Sequence, residues 1–298
     1  MKVVLALGHF DALHKGHRTV LGKAYELGKK LDATVVVTTF SKNLPKGAAI
    51  GDEKVVYTAD EREYLIREMG LKFLVLDSFE GFFDMSATNF LNMILHPSNG
   101  VAAVVAGADY RFGKGAEGDI NLLKEHCKKA NVETEIVELY KENGEKISTS
   151  AIKELIINGK LEEANELLYR PYTIISQVVK GKGEGQKLGF PTANVSTHST
   201  KLIPPHGIYV SETVDIVNRV IYVSVTSIGP QPTFNAEKVQ IETHLIDYSG
   251  NLVDEFIEIN LLKKIRDIVK FNSLDELKEQ ISKDIKIAKQ TSHHLINL

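Results

Sequence analysis

Two domains of different class are expected: an α/β unit with a parallel sheet over residues 1–168, then a small antiparallel barrel or sandwich over 169–298. Three observations predict this. A chain of 298 residues is long for one compact domain and sufficient for two. The first half alternates β-branched runs with amphipathic segments, which implies strand, helix, strand and a parallel sheet. Near residue 170 the pattern changes to short segments of alternating polarity separated by Gly- and Pro-containing turns.

In chain order, Val3 to Leu7, Val35 to Thr38, Phe73 to Leu76 and Val101 to Val105 read as buried strands, because each is a nearly continuous apolar run with polar flanks. Between the first two, Arg18 to Lys30 carries Val20, Leu21, Ala24 and Leu27 on one helical face. Thr58-Ala59-Asp60-Glu61 is a capping box opening a helix that ends near Gly70. Ser150 to Leu168 reads as one further helix. After Arg170-Pro171, strands are expected at Tyr172 to Val179, Gly207 to Val214, Val220 to Thr226, Val239 to Asp247 and Phe256 to Leu261. Ser273-Leu274-Asp275-Glu276 opens a last helix whose Leu274, Leu277, Ile281 and Ile285 form an apolar stripe for core packing.

The composition is that of an ordinary globular protein, 43% hydrophobic and 25% charged. A net charge of −3 supplies no general attraction for nucleic acid or a membrane surface, so neither is expected as a partner. Cys127 is the only cysteine, which excludes an internal disulfide and a cysteine-based metal cluster and suits a reducing compartment. The N-terminal apolar run is too short for a signal peptide, and no stretch reaches the ~18 apolar residues of a membrane span. A cytoplasmic location is expected.

The turn after the first strand reads Gly8-His9-Phe10-Asp11-Ala12-Leu13-His14-Lys15-Gly16-His17. It joins a parallel strand to its helix at the carboxyl edge of the sheet, where open α/β folds bind ligands. Unpaired amides and the positive end of the helix dipole make this an anion site. His14 and His17, three residues apart, share one face of the entry turn. The dipole disfavours a charged imidazole, so both rings are expected as neutral donors until a polyphosphate arrives. That arrangement suits stabilisation of a transferring phosphate. A zinc site is the weaker reading, for no third ligand stands at a suitable spacing; neither a Walker A sequence nor G-x-G-x-x-G occurs here. Gly107 to Gly113 (Gly-Ala-Asp-Tyr-Arg-Phe-Gly) and Ile147 to Lys153 (Ile-Ser-Thr-Ser-Ala-Ile-Lys) are expected at the same edge. Ser148, Thr149 and Ser150 either cap the last helix of the unit or, with Lys153, form a second phosphate cradle.

In the second half, Lys180 to Asn194 contains a glycine loop leading into Leu188-Gly189-Phe190-Pro191-Thr192-Ala193-Asn194. It fails as a P-loop, since Lys187 is followed by Leu188 and no helix pattern follows. Thr192 and Asn194 carry hard oxygens that magnesium accepts, or else they satisfy backbone groups of a turn. Within Gln240 to Asp247, Glu242 and His244 share one strand face while Ile241, Thr243 and Leu245 take the other.

G-x-F-D-x-x-H-x-G-H, G-x-D-[FY]-R-F-G and I-S-[ST]-[ST]-x-I-[RK] resemble the signatures of the adenylyltransferase module of prokaryotic bifunctional riboflavin kinase/FAD synthetases. L-G-F-P-T-A-N, Pro205-His206-Gly207-Ile208-Tyr209, I-G-x-x-P-T-F (Ile228 to Phe234) and E-T-H-L-I-D-[FY] are similar, in order, to the riboflavin kinase module. The resemblance covers nearly the whole chain. It implies a Rossmann-like nucleotidylyltransferase domain, a small kinase β-barrel with a C-terminal helix, and conversion of riboflavin to FMN and then FAD at the expense of ATP. It implies Glu242 as general base, with Mg²⁺ held by Thr192 and Asn194. It further implies His14 and His17 as the phosphate-stabilising pair, and Gly8, Phe10, Gly16, Asp109, Arg111, Ser148, Thr149, Lys153, Gly181 and Lys187 as nucleotide- or phosphate-binding positions. Phe190 and Arg266 fall at flavin-binding positions.

The chain departs from the family pattern at several points. Ala12 stands where Gly is usual, Ser41-Lys42-Asn43 replaces a histidine-containing T-F-x-P-H-P continuation, and Lys153 replaces an arginine. Gln186-Lys187 replaces Gly-Arg, and Leu252-Val253-Asp254 replaces Leu-Tyr-Gly. The alternatives to a bifunctional enzyme are a member with one live activity and a flavin-binding regulatory protein.

Overall fold

A computed structural model describes residues 1–40, 54–76, 82–142, 144–181, 183–230 and 239–295. The departure at Ser41-Lys42-Asn43 and the end of the Ile228-to-Phe234 motif lie outside these residues. The chain separates into two compact units, Met1–Ile152 and Lys153–Leu298.

The first unit follows the alternation of its sequence: β1 Val3–Leu7, α1 Lys15–Leu31, β2 Thr34–Thr39, α2 Ala59–Glu68, β3 Lys72–Val75, α3 Ala87–Ile94, β4 Val101–Gly107, α4 Ile120–Lys129 and β5 Glu133–Val137. All five strands pair in parallel, in the order β3-β2-β1-β4-β5. α1 buries the expected Val20, Leu21, Ala24 and Leu27. Leu5, Leu7, Val104 and Ala106 of the sheet pack with Phe90 and Leu91 of α3 and Leu123 and Cys127 of α4. The capping box of α2 is formed in both directions: Glu61 N–H donates to Thr58 Oγ1 (3.3 Å) and Thr58 N–H to Glu61 Oε2 (2.8 Å). A two-stranded hairpin, β6 Lys141–Glu142 and β7 Glu145–Lys146, precedes α5 Thr149–Ile157.

The single helix expected over Ser150 to Leu168 is two helices, α5 and α6 Leu161–Leu167. Gly159 takes a left-handed φ of 74°, and Lys160 N–H returns to Leu155 O at 2.9 Å, which terminates α5 as a glycine C-cap does. Asn165 Nδ2 then donates to Leu261 O at 3.0 Å, a bond within the second unit, to which α6 belongs.

The second unit holds β8 Tyr172–Val179, α7 Glu184–Leu188, β9 Ala193–Val195, β10 Gly207–Asp215, β11 Val220–Pro230, β12 Val239–Leu245, β13 Phe256–Arg266 and α8 Leu274–Leu295. The strands close into a barrel, β10-β11-β12-β9-β8-β13, each pair antiparallel. The short α7 corrects the reading of a helix-free glycine loop: Gly183 and Gly189, both left-handed, bracket one turn. Inside the barrel, five fully buried hydroxyls form a closed ring, Ser211, Ser224, Thr213, Thr243 and Thr226, with oxygen separations of 2.7–3.2 Å. On the outside, Val210, Ile246 and Leu262 pack with Ala288 and Ile285 of α8. The expected stripe on α8 therefore holds for Ile285, whereas Leu274 is exposed.

Candidate active sites

The sheet order reverses direction between β1 and β4, and their carboxyl ends carry the first turn and the Gly107-to-Gly113 stretch. The first turn is tightly made. Phe10 and Leu13, both buried, hold φ of 51° and 45°, a conformation that costs a bulky residue about 1–3 kcal/mol and persists only where neighbours enforce it. The Phe10 ring folds back over Gly8, where a Cβ would lie 2.7 Å from a ring carbon. Neighbours hold the turn from two sides: His9 O accepts from Thr39 Oγ1 (2.6 Å) and Arg62 Nη1 (2.8 Å), and Asp11 Oδ1 accepts from Tyr57 N–H (3.2 Å).

His14 is the N-cap of α1, its Nδ1 accepting from His17 N–H at 3.2 Å. An accepting Nδ1 leaves the proton of the neutral ring on Nε2. The two imidazoles stack with centroids 3.6 Å apart and planes 15° apart, and Phe10 meets His17 edge-on. A Cβ on Gly16 would press on the His14 ring at 3.1 Å. Burial lowers the His14 pKa to about 4, opposed by Asp109 and assisted by Lys146. His17 is pushed well below the ordinary value by burial, then by His14, His9 and Arg62. Its Nδ1 is buried and has no hydrogen-bond partner among the described residues, as a group kept for a ligand would be.

Around the pair lies a cleft of about 330 Å³, lined also by Gly8, Phe10, Gly16, Asp109, Arg111, Tyr140, Lys146, Ser148 and Thr149. The three stretches singled out in the first unit thus converge. Ser148 caps α5, its Oγ accepting from Ala151 N–H at 3.2 Å, so capping and cleft lining are fulfilled together. Lys146 was not among the expected residues; it pairs with Asp109 at 2.5 Å. Its only sequence signal is a cation immediately before Ile147-Ser148. Lys15 and Glu142 (2.9 Å) tie the β6–β7 hairpin to the start of α1. Lys153 stands on α5, one turn beyond Thr149, and does not line the cleft.

In the barrel, Asn194 of β9 and Glu242 of β12 are register partners. Thr192 Oγ1 donates to Glu242 Oε2 at 3.3 Å, and Gln240 Nε2 donates both to Asn194 Oδ1 (2.6 Å) and to Glu242 Oε1. The neutral oxygens of Thr192 and Asn194 are hard donors of the kind that magnesium takes, and the Glu242 carboxylate stands beside them. Among the described residues no cluster of three His, Cys, Asp or Glu could hold a metal by itself. Gly181 backs onto the Asn194 amide with no room for a Cβ. Phe190 meets His244 edge-on at 5.8 Å, and His244 Nδ1 is 2.7 Å from Pro191 O. Two expected residues stand apart: Lys187 is exposed on α7, and Arg266 forks onto Asp284 of α8 (2.7–3.1 Å).

Comparison with known proteins agrees with this division. Residues 1–151 match the FAD synthetase family and residues 168–292 the riboflavin kinase family. A bifunctional riboflavin kinase/FMN adenylyltransferase of Buchnera aphidicola is 35% identical, over 96% of this chain and 93% of that protein. Its counterparts in Bacillus subtilis and Escherichia coli are each 33% identical, over 95% and 94% of this chain and 90% of either protein. A crystal structure from Streptococcus pneumoniae, described as a macrolide-efflux protein, superposes with a TM-score of 0.80 at 29% identity, over 97% of this chain and 94% of that one. No helix among the described residues is long and apolar enough to cross a membrane. With both halves matched in order along almost its whole length, the chain belongs to the family of bifunctional riboflavin kinase/FMN adenylyltransferases.

Proposed function

We propose that the barrel phosphorylates riboflavin with ATP, and that the parallel-sheet unit adenylylates the resulting FMN from a second ATP to give FAD and pyrophosphate. The observation that carries this reading is the match of both family models in series to units whose motif residues converge.

In the barrel, Glu242 takes the proton of the riboflavin 5′-hydroxyl as its oxygen attacks the γ-phosphorus and the bond to ADP breaks. The oxygens of Thr192 and Asn194, beside Glu242, would hold Mg²⁺, whose contribution is neutralisation of phosphate charge. Gly181 and Lys187 would meet the nucleotide. Phe190 offers an apolar face to the isoalloxazine. Arg266, committed to Asp284, would act on the flavin site by fixing α8 against β13.

In the first unit, a phosphate oxygen of FMN attacks the α-phosphorus and pyrophosphate leaves. No proton needs to be abstracted, so neutral buried imidazoles suit the step. His14 Nε2–H and His17 donate to the phosphates. Gly8, Phe10 and Gly16 give the turn its close approach, and Asp109, Arg111, Ser148 and Thr149 meet the nucleotide or its phosphates. Lys153 would add charge from α5. The lone buried Cys127 and the absence of a membrane-spanning helix among the described residues favour the cytoplasm; no nucleic acid or membrane enters this reading.

The test is incubation with MgATP and either riboflavin or FMN, with the three flavins separated by chromatography. Glu242→Gln should retain riboflavin and MgATP binding but make no FMN. His17→Ala should make FMN but not FAD. FMN from the first variant or FAD from the second removes that residue from its role, and a wild-type protein running one step alone reduces the reading to a single activity.

A further inference from the structure

Arg62 is an arginine with none of its surface exposed, in the first half of α2, on the face that also buries Leu65 and Ile66. Enclosing a guanidinium is costly unless its donors are well met. Among the described residues its two Nη groups reach one place, while Nε is buried without a hydrogen-bond acceptor there. Nη1 donates to His9 O (2.8 Å) and Thr39 Oγ1 (3.1 Å), and Nη2 to Phe40 O (2.7 Å). These acceptors belong to the first turn and to the carboxyl end of β2, so one planar group joins two strand ends at the ligand-binding edge. His9 O is the carbonyl immediately before Phe10, the residue in left-handed strain whose ring meets His17 edge-on. Thr39 Oγ1 donates to the same carbonyl at 2.6 Å.

We infer that Arg62 is a positioning residue for adenylyl transfer, holding the His9–Phe10 peptide so that the His17 ring stays aligned on the phosphates. This rests on the adenylyltransferase reading above. Lysine cannot replace it, for a single ammonium cannot bridge His9 O, Thr39 Oγ1 and Phe40 O in one plane. The role is distinct from folding, because strain at Phe10 could relax with α2 and the sheet intact; the turn would then sit in an easier conformation with His17 displaced. Misplacement of a catalytic group by ~1 Å costs up to ~100-fold in rate.

The experiment compares wild type, Arg62→Lys and Thr39→Val. FAD formation from FMN and MgATP gives kcat and KM for ATP; FMN formation from riboflavin is measured on the same samples, with a thermal melt to fix the folded fraction. Below their melting transitions both variants should form FMN at the wild-type rate. FAD formation should fall in kcat by about 10- to 100-fold for Arg62→Lys and by less for Thr39→Val, with KM for ATP changed by less than about threefold. Wild-type kcat per folded molecule in both variants, or a loss confined to KM, overturns the inference. If Arg62→Lys does not fold, Thr39→Val decides alone. Failure of the wild-type protein to make FAD would instead overturn the functional reading.

Discussion

The hydroxyl of Thr226 donates to that of Thr243 across 2.9 Å in the barrel interior, on the face of β12 opposite Glu242. Both oxygens belong to the closed ring in which each hydroxyl can donate once and accept once, so no buried polar group is left over. Thr243→Val opens the ring: Thr226 keeps Ser211 and Thr213 keeps Ser224, but the four-membered chain that remains has one unmet donor at one end and one unmet acceptor at the other. An unmet buried hydrogen-bond group costs about 1–3 kcal/mol, so the barrel should melt a few degrees lower. Calorimetry of the two units checks this; an unchanged melt would mean that the ring adds nothing to stability.

The stacked histidines make the first unit acid-sensitive. An unfolded histidine binds its proton near 6.5, while His14 does so only near 4. Between those values the unfolded chain holds more protons, so stability is complete above about pH 6.5 and is lost as pH falls toward 4. At about 1.4 kcal/mol per pH unit, His14 accounts for about 3 kcal/mol, and His17, shifted the same way, adds to it. His14→Asn keeps a capping oxygen for His17 N–H and removes the titration. Urea unfolding at pH 7 and pH 5 should show a smaller pH effect in this variant than in wild type.

Gly181→Ala places a methyl group against the Asn194 amide. Displacing Asn194 disturbs the oxygens beside Glu242, so FMN formation should need a higher magnesium concentration, with FAD formation from FMN unchanged. A magnesium titration of both steps reads this directly.

Asp284 is almost wholly buried and accepts three bonds from the Arg266 guanidinium, joining α8 to β13. Removing one partner of such a pair costs about 3–5 kcal/mol, because the other is left enclosed and uncompensated. Asp284→Leu should therefore speed amide hydrogen exchange along α8 before it affects the parallel sheet. Equal acceleration in both units would refute the local role.

The strands and the first turn were legible because they rest on local pattern: β8 lies at its expected bounds, and α1 buries its expected apolar face. Three features were not. Gly159 breaks a helical pattern that hydrophobic periodicity alone carries through. Along Val223 to Thr226 of β11 the usual sidedness is inverted, with Ser224 and Thr226 inside while Val223 and Val225 lie outside under α8, so alternation there reveals two faces but not which one is core. Arg62 resembles any charged residue on a helix until tertiary structure encloses it. The candidate sites were legible as motifs; their supports, Arg62, Thr39, Gln240 and Lys146, were not, because their partners are distant in sequence.

The barrel closes where β8 meets β13, so that Tyr172 lies opposite Leu261 and Gln177 opposite Phe256. Its first and last strands are therefore mutual neighbours, and the cylinder is complete only when the farthest-separated pairing forms. Closing so long a loop is entropically slow, whereas β1, α1 and β2 assemble from near neighbours. During synthesis the parallel-sheet unit emerges first and has its strands at hand, while β8 waits with an unpaired edge until Phe256–Arg266 has been made. The exposed interval of β8 is thus set by translation speed, and a pause between residues 180 and 256 would lengthen the time in which that edge can pair with another chain.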